Sequence, residues 1–319
     1  MRTYGVGWLL AVLIGLAAGA GHAQDYPSKP VHIVVPAAPG GGNDLVARLL
    51  ANFLQPRLGQ TIVVDNKPGA QNMLGSKFVA LAPPDGYTLL VAASNSAFPV
   101  FNKDPGFSVA ADLEFISLIM RAPQVFAVNA SRPYRSFADL AALSKAEPGK
   151  LNFTSYGQLL WLQTEIVNKA ARITATHVPF SNAPEAAKAV ASGEADFLLA
   201  SMAAVGPFVN NGQLRLLAVT TNERDPNAPG VPSIAEAGLK LDDLSVWIGL
   251  FAPKGTPRPI IDRLNAEVRA LVANPDIASK LRNVGFTPYA NSPDEFRAAF
   301  VREENRMIEI GKAIGIKPE

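Results

Sequence analysis

The stretch that most constrains the fold is Val31–Leu58, VHIVVPAAPGGGNDLVARLLANFLQPRL. Val31–Val35 is a short β-branched run, the pattern of a buried strand. The segment PAAPGGG after it, Pro36–Gly42, can neither continue a strand nor begin a helix, so it reads as a loop. Asn43 is expected to cap a helix whose first turn holds Asp44. Behind it Leu45, Val46, Leu49, Leu50, Phe53, Leu54 and Leu58 recur at helical spacing. A strand thus delivers a glycine loop onto the positive end of a helix, where unsatisfied backbone N–H groups can hold a small anion. The same glycines also suit a tight turn that serves geometry alone. No Gly-Lys-Ser/Thr follows, which excludes a P-loop, and the third glycine of a dinucleotide fingerprint is missing.

Residues 1–23 read as an export signal, with Arg2, apolar Val6–Ala20, and small residues at Gly21 and Ala23 before a cleavage point. The apolar run falls short of the roughly twenty residues that a membrane anchor needs. The chain holds no cysteine, so neither lipid attachment nor a disulfide is available, and a periplasmic location is expected. The 29 Lys and Arg residues, Arg2 among them, are balanced by 27 Asp and Glu. No basic cluster is interleaved with aromatics, so nucleic acid is not an expected partner.

From residue 60 onward strand-like and helix-like pieces alternate. Thr61–Asp65, Tyr87–Ala92, Phe115–Met120, Val125–Asn129, Leu151–Thr154, Thr174–Val178, Phe197–Ala200, Leu214–Thr220 and Trp247–Ala252 read as extended. Gln71–Leu81, Leu159–Ala171 and Pro184–Ser192 read as helices, as do a segment capped by Ser136, one capped by Thr256-Pro257, and a last one from Pro293 to about Ile314 behind Ser292 and Glu295. This alternation predicts parallel α/β sheets with helices on both faces, and ligands outside the carboxyl ends of the strands.

Catalytic chemistry has few places to reside. Outside the leader the histidines are His32 and His177, both in or beside strands and both expected to be structural. There is no G-x-S-x-G elbow, no H-E-x-x-H and no zinc ligand cluster, so neither enzymatic activity, a metal nor a cofactor is expected. Instead Ala37–Asp44, Ser94–Ser96, Ser155–Gln158 and Pro179–Asn182 follow strands with small and polar residues. Together they suggest a cleft that meets a compact polar ligand with amides and hydroxyls.

With these pieces in place, YPSKPVHIVVPAAPGGGNDLVARLLA at Tyr26–Ala51 resembles the mature N-terminus of the Bug family, the periplasmic solute receptors of tripartite tricarboxylate transporters. The likeness continues through VVDNKPGA (Val63–Ala70), APPDGYTLL (Ala82–Leu90), HVPF (His177–Phe180), GQLRLLAVT (Gly212–Thr220), VPSIAEAG (Val231–Gly238), VWIGLFAPKGTP (Val246–Pro257) and RLNAEV (Arg263–Val268). The resemblance implies a type II periplasmic binding protein, an α/β fold of two lobes, each a central sheet flanked by helices, with the ligand cleft between them. Residues 24–123 and 247–319 would form a discontinuous lobe 1, and 124–246 lobe 2.

The family's mode of binding, a carboxylate met by backbone amides, hydroxyls and waters, places Ala37, Ala38, Gly40, Gly41, Asn43 and Asp44 at one end of the ligand. Ser94 and Asn95 would lie beside it, Ser155, Gly157 and Gln158 would close from the other lobe, and Pro179 and Phe180 would form a wall. Asp44 is expected to orient the loop or a water, since like charges repel. Three departures bear on specificity. Ala37 stands where many members carry an aromatic residue, and the second lobe's polar loop is shortened to Tyr156–Trp161. Where amino-acid-binding members carry an aspartate, this chain has Ala200-Ser201, so a ligand ammonium would lack its counter-ion. The implied function is a monomeric receptor that closes by a hinge over a dicarboxylate or an aromatic or aliphatic acid and passes it to a membrane permease. The alternatives are a receptor serving a signalling partner and an exported hydrolase using His177.

Overall fold

The computed structural model describes residues 26–69, 73–94 and 106–315. The expected export signal and Asn95 lie outside the described residues, as does the start of the helix expected at Gln71.

The elements run β1 (Val31–Val35), α1 (Gly42–Leu58), β2 (Ile62–Asn66), α2 (Met73–Ala80), β3 (Thr88–Ala93), α3 (Val109–Asp112), β4 (Leu113–Ala122) and β5 (Gln124–Asn129). They continue with α4 (Phe137–Ala146), β6 (Asn152–Tyr156), α5 (Gly157–Ala171), β7 (Thr176–Phe180), α6 (Ala183–Ser192), β8 (Phe197–Ser201), α7 (Met202–Asn210) and β9 (Leu214–Val219). β10 (Val246–Pro253), α8 (Arg258–Ala273), α9 (Pro275–Asn283), β11 (Thr287–Pro288) and α10 (Pro293–Ala313) complete the fold.

Local signals account for many of these boundaries. The alternation of Val46, Leu50, Leu54 and Leu58 buries one face of α1, and Gly59 ends it in the left-handed conformation. Ser136 accepts from the Asp139 N–H to start α4, and Ser292 and Glu295 form a reciprocal capping box at α10. No separate turn joins β6 to α5, because Gly157, at φ 73°, takes the chain from one into the other in one step. One expectation needs correction. Thr256 does not cap α8. Its hydroxyl donates to the Pro253 carbonyl at 2.7 Å, and Pro257 occupies the cap position.

The strands form two sheets, one in the order β11-β4-β10-β3-β1-β2 and one in the order β7-β6-β8-β5-β9. Both are mixed, which corrects the expectation of parallel sheets. β1 runs parallel to β2 and β3, and β6 parallel to β7 and β8, whereas β4, β5, β9, β10 and β11 pair antiparallel. The cause is the passage between sheets. β4 leads into β5 with Pro123 alone between them, and the chain returns in the opposite direction into β10. Proline has no N–H to give a ladder, which suits it to the break. The outgoing and returning segments are joined: Gln124 N donates to Thr220 Oγ1 at 3.0 Å, Thr220 N to Gln124 O at 2.9 Å, and Leu244 N to Thr220 O at 3.2 Å.

Helix α10 braces this passage. Phe296, Phe300, Met307 and Ile310 share one buried cluster with Phe115, Trp247 and Phe251 of the first sheet and with Leu162, Ile166 and Val167 of α5 beside the second. The rings of Phe115 and Phe296 meet edge to face at 5.0 Å. Gly249 permits the approach, since a Cβ there would stand 2.5 Å from Phe296 Cζ.

One titratable group belongs to this brace. Trp247 Nε1 donates to Glu303 Oε2 at 2.9 Å, while the buried Glu303 Oε1 has no partner among the described residues. Burial, with a smaller push from Asp243, raises the Glu303 carboxyl to about 7 against the relief given by Trp247 and Arg306. The folded value lies above the unfolded one, so folding favours the neutral acid. That stabilisation is whole below about pH 4.5 and is lost as pH rises through about 7. Glu303→Gln keeps an acceptor for Trp247 and cannot ionise. In urea titrations the variant should gain on the wild type between pH 5 and pH 8, by an amount on the order of 3 kcal/mol. Parallel pH profiles for the two proteins would show that the carboxyl is not held neutral.

Candidate binding site at the strand ends

Topology decides where a site can form. In the first sheet β2 and β3 lie on opposite sides of β1, and in the second β7 and β8 lie on opposite sides of β6. Each arrangement is a topological switch point, where connections leave in opposite directions and open a crevice beyond the carboxyl ends of the strands. The registers aim the two crevices at the same place. Ala93 of β3 lies opposite Ile248 of β10, and Trp247 N donates to Ser94 Oγ at 3.4 Å. Ser201, ending β8, lies opposite Gln124 of β5. Strands β3 and β8 therefore run toward the crossing from opposite sheets, β8 ending in Ser201 and β3 followed by Ser94.

On the first-sheet side, the loop after β1 is organised by Asp44. This carboxylate is buried and accepts from Gly40 N at 2.9 Å, Arg48 Nε at 2.9 Å and Asn66 Nδ2 at 3.1 Å. Asn66 Nδ2 also donates to Ala37 O at 3.1 Å. The Arg48 hydrogen bond holds the Asp44 carboxyl below its usual range, helped by the Gly40 and Asn66 donors against burial. Gly40 turns at φ 88°, a conformation that side chains disfavour. Asn43 does not cap α1, as the helix begins two residues earlier than that cap would set, at Gly42, with Gly41 in the cap position. The ladder already starts there, with Leu45 N donating to Gly41 O at 3.0 Å.

Ala38, Gly40 and Gly41 are exposed, while Ala37 and Asn43 are half-buried. A hollow of about 350 Å³ is lined by Gly40, Gly41, Gly42, Asp44, Leu45, Arg48, Val284 and Phe286. Val284 and Phe286 come from the turn after α9, and no local signal in the sequence connects them to the glycine loop.

On the second-sheet side, Ser155 is buried at the end of β6, and its Oγ lies 2.7 Å from His177 Nε2 on β7. The Trp161 ring stacks on the imidazole at 4.7 Å and 8°. Burial lowers the His177 pKa from its usual value. Burial pushes the Tyr156 phenol up, with the neighbouring Ser201 opposing the shift. Gly157 and Gln158 are exposed at the start of α5. Pro179 and Phe180 belong to β7 rather than to a loop, because Ser155 pairs with Pro179 and Tyr156 with Phe180. Pro179 is tolerated because β7 is an edge strand.

His32 is remote from this chemistry, its Nδ1 lying 2.7 Å from Asp65 Oδ2 on the neighbouring strand. Among the described residues no group of three or more His, Cys, Asp or Glu could hold a metal ion, and no helix is long and apolar enough to cross a membrane.

Comparison with known proteins assigns the family. Residues 46–316 match the tripartite tricarboxylate transporter family receptor. Protein BugT of Bordetella pertussis is 31% identical over 319 residues, covering 97% of this chain and 98% of that one. Among solved structures, R. palustris Rpa4515 with adipate is 30% identical, covering 92% of this chain and all of that one, with a TM-score of 0.69. MatC from Rhodopseudomonas palustris with bound malate is 28% identical, covering 89% and 99%, with a TM-score of 0.66. A TctC solute-binding protein from Polaromonas with no ligand is 25% identical, covering 90% and 99%, with a TM-score of 0.81. The two helix-flanked sheets are those of a periplasmic binding protein, and the chain belongs to the Bug proteins, the periplasmic solute-binding receptors of the tripartite tricarboxylate transporter family.

Proposed function

We propose that this receptor captures a small carboxylate between two lobes and delivers it to the membrane permease of a tripartite tricarboxylate transporter. The observation that carries the reading is the convergence of two switch points, both lined by donors, on one pair of crossing segments. The lobes are residues 24–123 with 247–319, and residues 124–246. The chain acts as a monomer, exported with its signal removed near Ala23.

In this reading the N–H groups of Ala38, Gly41 and Asn43 face one end of the acid with Ala37 beside them. Gly40 contributes its turn, because its own N–H is given to Asp44. Ser94 accepts from Trp247 N and keeps its hydroxyl hydrogen for the ligand, with Asn95 next to it. Ser155, Gly157 and Gln158 hold the far end at the start of α5. Tyr156 adds its hydroxyl beside them, and Pro179 and Phe180 form the wall. The loop N–H groups and the hydroxyls of Ser94, Ser155 and Tyr156 can all donate, which suits an acceptor-only carboxylate. The adipate and malate complexes of the relatives support a dicarboxylate. The absence of an acidic side chain at Ala200-Ser201 argues against an amino acid.

Closure is a hinge motion at the crossing segments. Its support is a comparison of shapes. The chain superposes better on the ligand-free Polaromonas protein than on the adipate and malate complexes, although it is less similar to it in sequence. That order fits an open state which ligand closes.

Melting the protein with adipate, malate, benzoate and amino acids tests the reading. An acid at a hundred times its dissociation constant should add about 2.7 kcal/mol of stability, with a smaller radius of gyration in X-ray scattering. No shift with any acid would overturn it, and a shift with amino acids alone would overturn the ligand class. Asp44→Ala should leave the Gly40 and Asn66 donors without an acceptor, cost about 1–3 kcal/mol, and weaken binding of the acid at least about tenfold. Titration calorimetry reads the affinity. An unchanged value in a folded variant would remove the glycine loop from the site.

A further inference from the structure

We infer that His177 is a positioning residue whose Nε2–H donates to Ser155 Oγ, so that the single hydroxyl hydrogen of Ser155 is left for the carboxylate of the bound acid. The inference rests on the receptor reading above and adds a polarity to it.

The 2.7 Å contact between Ser155 Oγ and His177 Nε2 can run in either direction, because a neutral imidazole carries its proton on one nitrogen or the other. If Nε2 is bare, Ser155 must spend its only hydrogen there, and what it then offers the cleft is lone pairs. An ionised carboxylate has only lone pairs of its own, so that direction sets acceptor against acceptor. If Nε2 carries the proton, the oxygen of Ser155 is satisfied from behind and its hydrogen is free to point at the ligand. The buried position of Ser155 sharpens the choice, since solvent has little access to correct a wrong polarity.

Packing restricts how else the pair can adjust. Phe153 pairs with His177 across the parallel strands, so His177 shares a face with Phe153 and with Ser155 two residues on. The Phe153 ring lies 5.1 Å from the imidazole at 31°, and Trp161 stacks on it at 4.7 Å and 8°. Ring contacts of this kind hold the plane of the imidazole while leaving its tautomer free to respond to the hydrogen bond. Trp161, on the first turns of α5, thereby serves the site by holding His177.

The test pairs calorimetry with NMR, using whichever of adipate, malate and benzoate gives the largest melting shift. Ser155→Ala should weaken binding by about tenfold, the loss of one charge-assisted hydrogen bond, and His177→Phe, which keeps the hydroxyl but removes the donor that orients it, by about threefold to tenfold. The double variant should be no weaker than Ser155→Ala alone, because His177 acts on the acid only through the Ser155 hydroxyl. His177→Gln, whose side-chain amide can donate near the Nε2 position, should stay within about threefold of the wild type. Imidazole ¹⁵N shifts of the unaltered protein saturated with the acid should show His177 protonated at Nε2, a readout that does not depend on any variant folding. An Nδ1-protonated ring, losses that multiply in the double variant, or full affinity in folded His177→Phe would each overturn the inference while acid binding by the wild type stands. Failure of the wild type to bind any acid would instead overturn the receptor reading, and the inference with it.

Discussion

Gln124 and Thr220 hold two passing segments together at the one place where the chain changes sheets, through N–H bonds given in both directions. The direction of the strands that end in the site follows from that junction. β4 runs into it and β5 out of it, so β3, which pairs with the returning β10, must run toward it, and so must β8, antiparallel to β5. Since β1 is parallel to β3 and β6 is parallel to β8, both switch points open on the same region. A different pairing at the junction would leave the same loops on surfaces that do not meet.

The proposed site works with partial charges. Arg48, the cation beside the glycine loop, is committed to Asp44 and to the Asn66 side chain, and Asp44 in turn orders Gly40 and, through Asn66, Ala37. What the proposed site leaves for a ligand is a set of N–H and O–H groups, with the Ser94 oxygen already taken from behind by Trp247. Such groups are directional. They favour an anion without the strong desolvation that a buried lysine or arginine would have to overcome on binding and again on release.

The brace on the outer side sets the terms of any hinge. Because α10 packs against β4 and α5 in one apolar cluster, a closing motion must roll on buried aromatic surface while the crossing segments bend. Trp247 joins the two regions, with its indole N–H on Glu303 and its backbone N–H on Ser94. A change in that tryptophan would be felt both in the core and at the end of β3.

Much of this was legible in the residues. The β-branched run before a glycine loop marked β1, the helical spacing behind it marked α1, and the Ser292/Glu295 pair marked the start of α10, because such signals act within a few residues and owe little to distant contacts. The ordered motifs from Tyr26 to Val268 were enough to indicate the receptor family and its two-sheet fold. The tertiary structure alone decided the rest. The expected parallel sheets became mixed at the crossing, Pro179 and Phe180 joined a strand because β6 extends alongside them, and Gly41 displaced Asn43 as the cap of α1. His177 read as a lone strand histidine until pairing set it beside Ser155, 22 residues away, and nothing local ties Phe286 to the glycine loop. Strand direction, register and turn-to-loop contacts are long-range choices settled by packing and backbone hydrogen bonding, and a window of neighbouring residues holds no record of them.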